Sequence, residues 1–252
     1  MHRFFVDEKN ISEDNKKIIM DEPEDVKHIG KVLRLTEDDC LEICNGNNYE
    51  YIGKIVSLSK SQIILEILEE KKSSTEPDIQ VTLFQGIPKS SKMDMIIQKC
   101  TELGVCKIVP IITERTIVQL KDKKAEMKKI QRWQKVADSA AKQCKRGVIP
   151  KVTEPISFEE MIDDISTYDL KVIPYEKERE VGLKNILNTN KEYKKIAIII
   201  GPEGGFEQDE VIKAQNAGVT PITLGPRILR TETAGFVALS IFMYEIGDLG
   251  GI

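Results

Sequence analysis

Two hydrophobic rhythms divide the chain. Over residues 1–72 apolar and polar positions alternate in short runs, at Arg3 to Val6, Leu41 to Cys44, Tyr49 to Val56 and Gln62 to Leu68. A period of two sends successive side chains to opposite faces, so these runs predict strands. A short helical stretch is predicted from Glu24 to Leu35. Asn45-Gly46 carries a type I′ turn signal and predicts a hairpin between the second and third runs. The polar stretch Glu69 to Asp78, with Pro77, reads as a linker.

From Ile79 onward the rhythm changes. Val81 to Phe84, Lys107 to Ile112, Leu170 to Pro174, Ile196 to Ile200 and Pro221 to Leu224 are short runs rich in β-branched residues, suited to a sheet buried on both faces. Helical periodicity falls between them, near Lys92 to Leu103, Met127 to Cys144, Phe158 to Ile165, Gly182 to Leu187, Gln208 to Ala217 and Thr233 to Ile246. Alternation of strand and helix predicts an α/β domain over residues 79–252, with a mostly parallel sheet and helices on both faces. A small β-rich domain over residues 1–72 precedes it.

Composition narrows the classes. With 252 residues, 40% hydrophobic and 31% charged, the chain can bury a sizeable core. No apolar run approaches the roughly 20 residues of a membrane helix, and the start lacks the apolar core of a signal peptide, so no membrane association and a cytoplasmic location are expected. Cys40, Cys44, Cys100, Cys106 and Cys144 form no Cys-x-x-Cys pair and the histidines are His2 and His28. Neither a metal site nor a disulfide framework is expected, and the cysteines read as small buried hydrophobes.

The net charge of -4 is unevenly spread. Residues 1–72 carry 11 Lys or Arg against 16 Asp or Glu, whereas residues 113–151 carry 12 against 4, with Lys121, Lys128, Arg132, Lys135, Lys145 and Arg146 among them. Such an excess suits phosphates or a solvated helix face, and charge alone does not choose.

In parallel sheets ligands collect at the carboxyl ends of strands. Gly201-Pro202-Glu203-Gly204-Gly205-Phe206 follows one predicted strand, and Leu224-Gly225-Pro226-Arg227-Ile228-Leu229-Arg230-Thr231-Glu232-Thr233-Ala234 follows another. Glycines there let a ligand reach bare backbone, or simply make a tight turn. The first loop lacks the Gly-x-Gly-x-x-Gly spacing of dinucleotide sites, and a P-loop is absent. In the second, Thr231 or Thr233 is placed to cap a helix. Capping leaves Arg227 and Arg230 near a helix N-terminus, whose positive end they do not complement.

These two loops resemble the signature loops of SPOUT methyltransferases. The likeness extends to the family that methylates N3 of uridine in 16S rRNA, through Lys92-Met93, Gln98-Lys99, Glu102-Leu103-Gly104-Val105, Glu114-Arg115, Arg132-Trp133-Gln134-Lys135 and Gln143-Cys144-Lys145-Arg146. His2-Arg3-Phe4-Phe5 and His28 to Arg34 resemble that family's PUA-like RNA-binding module, so the likeness covers nearly the whole chain.

The resemblance implies a trefoil-knotted C-terminal domain, S-adenosyl-L-methionine as cofactor, a homodimer, and 16S rRNA in the assembled small subunit as substrate. It implies cofactor contacts at Ile173, Pro174, Ile200, Gly201, Glu203, Gly204, Gly205, Leu224, Gly225, Ile228, Leu229, Thr233 and Ala234. RNA contacts are expected at Arg3, Arg34, Lys92, Arg115, Arg132, Lys135 and Arg146. Arg230 is the expected stabiliser of a uracil anion and Glu203 the expected proton acceptor, the bland alternative being an ion pair of Arg230 with Glu232 or Glu203. The last helix presents Phe236, Leu239, Ser240 and Met243, read as a face needing a partner chain. Two rival readings stay open: a SPOUT enzyme acting on a ribose 2′-hydroxyl, and a non-enzymatic ribosome-assembly protein.

Overall fold

A computed structural model describes residues 1–12, 14, 16–117, 123–188 and 192–251. The chain divides into two units, Met1–Glu76 with Ala141–Ile149, and Pro77–Ala140 with Pro150–Ile252. Segment 141–149, expected in the second domain, therefore belongs to the first unit. Lys121 of the basic segment lies outside the described residues.

The first unit holds β1 (Arg3–Phe5), β2 (Ile11–Ser12), β3 (Lys17–Met20), α1 (Pro23–Lys27), β4 (Cys40–Cys44), β5 (Tyr49–Leu58) and β6 (Ile63–Lys72). They form one sheet in the order β1-β4-β5-β6-β3-β2, with β1 parallel to β4 and the other neighbours antiparallel. Alternation puts Ile18, Met20, Leu41, Ile43, Ile55, Ile63 and Leu65 into its core with Phe4 and Ile29. The predicted helix is broken after Lys27 by a wider helical turn, His28–Leu33, which ends at Arg34 in the left-handed region at φ 55°.

The predicted linker begins too early. Glu69 to Lys72 continue β6 and pair with Ile52 to Tyr49, because a strand face turned to water accepts charged side chains as readily as a loop does. The β4–β5 turn is four residues long rather than two: Asn45 Oδ1 accepts from Asn47 N at 2.8 Å and Tyr49 N at 3.1 Å, with Gly46 and Asn48 at positive φ.

The second unit runs β7 (Gln80–Gly86), α2 (Lys92–Glu102), β8 (Lys107–Ile112), α3 (Lys123–Gln143), β9 (Lys151–Val152), β10 (Ile156–Ser157), α4 (Phe158–Asp164), β11 (Leu170–Pro174), α5 (Leu183–Leu187), β12 (Lys195–Ile200), α6 (Gln208–Asn216), β13 (Thr220–Ile222) and α7 (Thr231–Glu245). The sheet order is β10-β8-β7-β12-β11-β13, with β9 beside β8, and every pairing is parallel. Helices cover both faces. In β12, Ile196, Ile198 and Ile200 pack with α2, α3 and α7, while Ala197 and Ile199 pack with α4 and α6. Each fully buried isoleucine contributes about 1.5–3 kcal/mol, so β12 is the anchor of the unit.

Two of the four residues on the face of α7 read as needing a partner are covered from within. Leu239 and Met243 are 1% and 0% exposed in the core, Phe236 packs against that core, and Ser240 Oγ donates to Phe236 O at 2.7 Å. Apolar residues at helical spacing do not tell an intramolecular face from an intermolecular one. Among the described residues no helix is long and apolar enough to cross a membrane.

Candidate functional site

Strand β12 leaves the core at Ile200 and turns at once. Gly205 N donates to Pro202 O at 2.9 Å, and Gly205 sits at φ 68°, where a side chain would be strained. Phe206 then returns to the core and α6 begins with a capping box in which Glu207 N donates to Glu210 Oε2 at 2.8 Å. Outside the turn, Arg115 Nη1 donates to Gly204 O and Nε to Glu207 Oε1, both at 2.7 Å. Arg115, expected on RNA, thus staples the glycine loop; the Glu207 partner raises the guanidinium's pKa further.

The second loop leaves β13 through Thr223, whose Oγ1 accepts from Gly225 N at 3.2 Å, and Gly225 takes φ 117°. Helix α7 then starts at Thr231 with Arg230 as N-cap and no side-chain cap. Neither threonine caps it: the Thr231 hydroxyl donates to Gly201 O at 2.6 Å, joining the two loops.

Between these loops and the end of β11 lies a cavity of about 490 Å³, within the size range of small-ligand sites. Pro174, Ile200, Gly201, Glu203, Gly204, Gly205, Leu224, Gly225, Ile228, Leu229, Ala234 and Arg230 all line it. Ile173 does not; it is fully buried on the opposite sheet face, as strand alternation requires of a neighbour of Pro174. Thr233, half-buried, is not on the wall either.

Sequence reading missed Tyr175, Glu176, Glu178 and Arg179, which form a third wall after β11. They too follow a strand's carboxyl end, but without the glycines that drew attention to the other loops. Glu178 Oε1 holds that wall by accepting from the backbone N–H of Arg179, Glu180 and Val181, at 2.9, 2.7 and 3.0 Å, and these bonds lower its pKa.

Lys92, expected on RNA, is on the cavity wall. Its Nζ lies 3.0 Å from Glu203 Oε1 and 3.4 Å from Glu232 Oε2, and the Glu203 bond is the main cause of its raised pKa. Glu203 also accepts from Lys89 N at 3.1 Å. Burial pushes the Glu203 carboxyl up, yet these donors together hold it below the usual carboxylate value. So held, it is a weak proton acceptor. Among the described residues Arg230 makes no ion pair, so the structural pairing with Glu203 or Glu232 is not formed; both carboxylates face Lys92.

The other expected RNA contacts scatter. Arg34 is exposed, Lys135 is exposed on α3, and Arg132 is on α3 with Nη2 2.9 Å from Asp94 Oδ1. Arg3 and Arg146 are 8% and 4% exposed inside the first unit. Arg3 donates to the carbonyls of Lys145 and Arg146 and to Glu42 and Glu50, while Arg146 Nη2 pairs with Glu76 Oε2 at 2.6 Å. Both are internal ties, because an arginine beside buried carboxylates is committed to neutralising them. Among the described residues no group of three or more His, Cys, Asp or Glu is placed to hold a metal.

The parallel sheet and the cavity at the carboxyl ends of β11, β12 and β13 define an α/β protein with its candidate small-ligand site where such sheets place it. Residues 75–243 match the RNA methyltransferase domain family and residues 21–68 match the RNA methyltransferase PUA domain. Ribosomal RNA small subunit methyltransferase E of Bacillus subtilis is 35% identical over 232 residues, 90% of each chain. Its namesake in Buchnera aphidicola subsp. Acyrthosiphon pisum is 38% identical over 221 residues, covering 88% of this chain and 85% of that one. The crystal structure of ribosomal RNA small subunit methyltransferase E from Neisseria gonorrhoeae, bound to S-adenosyl methionine, matches with a TM-score of 0.87 at 32% identity over 99% of both chains. The chain belongs to the ribosomal RNA small subunit methyltransferase E family.

Proposed function

We propose that this chain methylates N3 of one uridine in 16S rRNA from S-adenosyl-L-methionine, on the assembled small subunit and in the cytoplasm. The observation that carries the reading is Arg230: an arginine on the wall of a glycine-lined cavity, with no carboxylate partner among the described residues. Shape supports the cofactor. A Cβ on Gly201 would come within 3.1 Å of Gly205 backbone atoms, so the turn that lines the cavity closes this tightly because residue 201 is glycine. Bound there, S-adenosyl-L-methionine supplies an electrophilic methyl group and leaves as the neutral thioether.

The residues of the chain supply the rest. Uridine N3 must shed its proton before its electron pair is free, and charge then spreads onto the ring carbonyls. The Arg230 guanidinium, on the wall where α7 begins, is the group we assign to hydrogen-bond such a carbonyl and favour the anion. The ionised Glu203 is held by Lys92 and Lys89 N, which leaves water as well as this carboxylate to take the proton. Because N3 lies on the pairing edge, the base enters unpaired or flipped. The exposed Arg34 and the basic face of α3, with Lys135 and Arg132, are the proposed RNA contacts, and Lys92 is reassigned to the cavity. The knotted C-terminal path and a homodimer belong to the same reading. Tyr244, 67% exposed near the end of α7, is the contact proposed for the second copy.

The test is mass mapping of nucleosides in small-subunit rRNA from cells lacking and regaining the protein. One N3-methyluridine should vanish and return; a changed ribose methylation, or no change, would overturn the assignment. Arg230→Ala should bind the cofactor normally but transfer methyl about a hundredfold to a thousandfold more slowly in single turnover.

A further inference from the structure

Gln85 is fully buried at the end of β7, and no catalytic or binding expectation includes it. Its Nε2 donates to Thr231 Oγ1 at 2.9 Å and to Gly86 O at 3.0 Å, and Thr231 Oγ1 donates to Gly201 O at 2.6 Å. The direction of the chain is fixed by proton counting. A hydroxyl has one hydrogen, and here it is spent on Gly201 O, so toward Gln85 it must accept. The amide nitrogen therefore faces Thr231, and Gln85 Oε1 is left buried without a hydrogen bond. A buried amide oxygen is left unsatisfied only where the opposite orientation would lose more, which here means both bonds of the amide nitrogen.

Thr231 follows Arg230 directly and opens α7, while Gly201 opens the glycine turn. One hydroxyl thus sets the separation of the two loops that form the cavity, and Gln85 ties that hydroxyl to the sheet. We propose that Gln85 and Thr231 are positioning residues for methyl transfer. Their relay holds the cofactor loop and the Arg230 backbone at the separation the reaction needs. The proposal rests on the reading of the cavity as the cofactor seat. Neither side chain touches the reacting atoms; each acts through backbone it holds.

The experiment uses the full chain with S-adenosyl-L-methionine and small ribosomal subunits, and compares Thr231→Val, Thr231→Ser, Gln85→Met and the double variant Gln85→Met/Thr231→Val. A misplacement of about 1 Å can cost on the order of a hundredfold, so Thr231→Val should slow single turnover by about ten- to a hundredfold. Calorimetric cofactor affinity should fall less than the rate does, since the backbone groups of the cradle are kept and their separation from Arg230 is what changes. Thr231→Ser keeps the hydroxyl and should restore the rate to within about threefold of the parent. The double variant should be no slower than Thr231→Val, because the two residues act in series.

A Thr231→Val variant at the parent rate, a serine variant as slow as the valine one, or additive losses in the double variant would each overturn the relay. If Thr231→Val does not fold, Thr231→Ser and Gln85→Met still decide it: the relay requires a near-parent rate in the first and a slow, folded second. Failure of the parent chain to bind S-adenosyl-L-methionine would instead overturn the reading of the cavity.

Discussion

Replacing Gly86 by alanine tests the cavity from behind. A Cβ at Gly86 would lie 2.5 Å from Pro202 N, 2.6 Å from Pro202 Cδ and 2.8 Å from Gly201 C, against an ordinary contact of 3.4–4 Å. The obstruction is backbone, not a side chain that can swing away. Either β7 or the glycine turn must retreat by roughly 1 Å, in a site where a displacement of that order costs about a hundredfold in rate. Overpacking of this kind costs about 1–3 kcal/mol, hence a fall in melting temperature of about 2–12 °C. Gly46→Ala is the control: it takes its strain from φ 75°, has nothing within 4 Å, and lies in the first unit. Calorimetry with S-adenosyl-L-methionine and single-turnover methylation on small subunits are the assays. Gly86→Ala should lose affinity and rate, and Gly46→Ala only thermal stability. A Gly86→Ala protein with parent affinity and rate would show that the turn is not the cofactor seat.

Two further outcomes follow from the charges. Glu203 has a lowered pKa, so its contribution to stability is present above the ordinary carboxylate value of about 4.3 and is lost as pH falls through its folded value. Lys92 has a raised pKa, so its contribution is present below about 10.4 and is lost as pH rises through its folded value. The melting-temperature gap between the parent and Lys92→Met should therefore be widest between about pH 5 and 10 and narrow on both sides; a gap constant from pH 7 down to about pH 2 would refute the pairing. Arg3→Met strands the buried Glu42 and Glu50 and should destabilise the first unit by about 3–5 kcal/mol in thermal unfolding, whereas an unchanged melting temperature with lost RNA affinity would restore Arg3 to the RNA surface.

Much of this architecture is written in local pattern. Ile196 to Ile200 could only be a doubly covered strand, and its alternate residues do divide between two cores. The two glycine loops were legible because a parallel sheet confines its ligands to strand ends and glycine marks a close approach. What stayed hidden depends on long-range pairing. The strand Lys17–Met20 has only four residues, two of them buried, and gains its identity from β6. The burial of Arg3 and Arg146 needs Glu42, Glu50 and Glu76 brought from distant positions, which no periodicity announces. Thr231 was legible as a hydroxyl at a helix start, and its partner, 30 residues away, was not.

The same long-range pairings leave Arg230, with Arg179 and Arg227, among the cavity-wall cations without a carboxylate partner among the described residues. Five basic residues expected to face RNA turn out to hold carboxylates: Arg3 with Glu42 and Glu50, Arg146 with Glu76, Arg115 with Glu207, Arg132 with Asp94, Lys92 with Glu203 and Glu232. Arg3 and Arg146 are buried with their carboxylates, so stripping either away would leave those charges uncompensated, whereas the other pairs are partly open to solvent and weaker. Arg230 is placed oppositely, at the N-terminus of α7, where a cation costs about 0.3–1 kcal/mol against the helix dipole. Glu203 and Glu232 are drawn to Lys92 instead. A cation kept at an unfavourable helix end, on a cavity wall and without a carboxylate partner among the described residues, is placed to gain when negative charge arrives there. That charge is what a uracil losing its N3 proton provides.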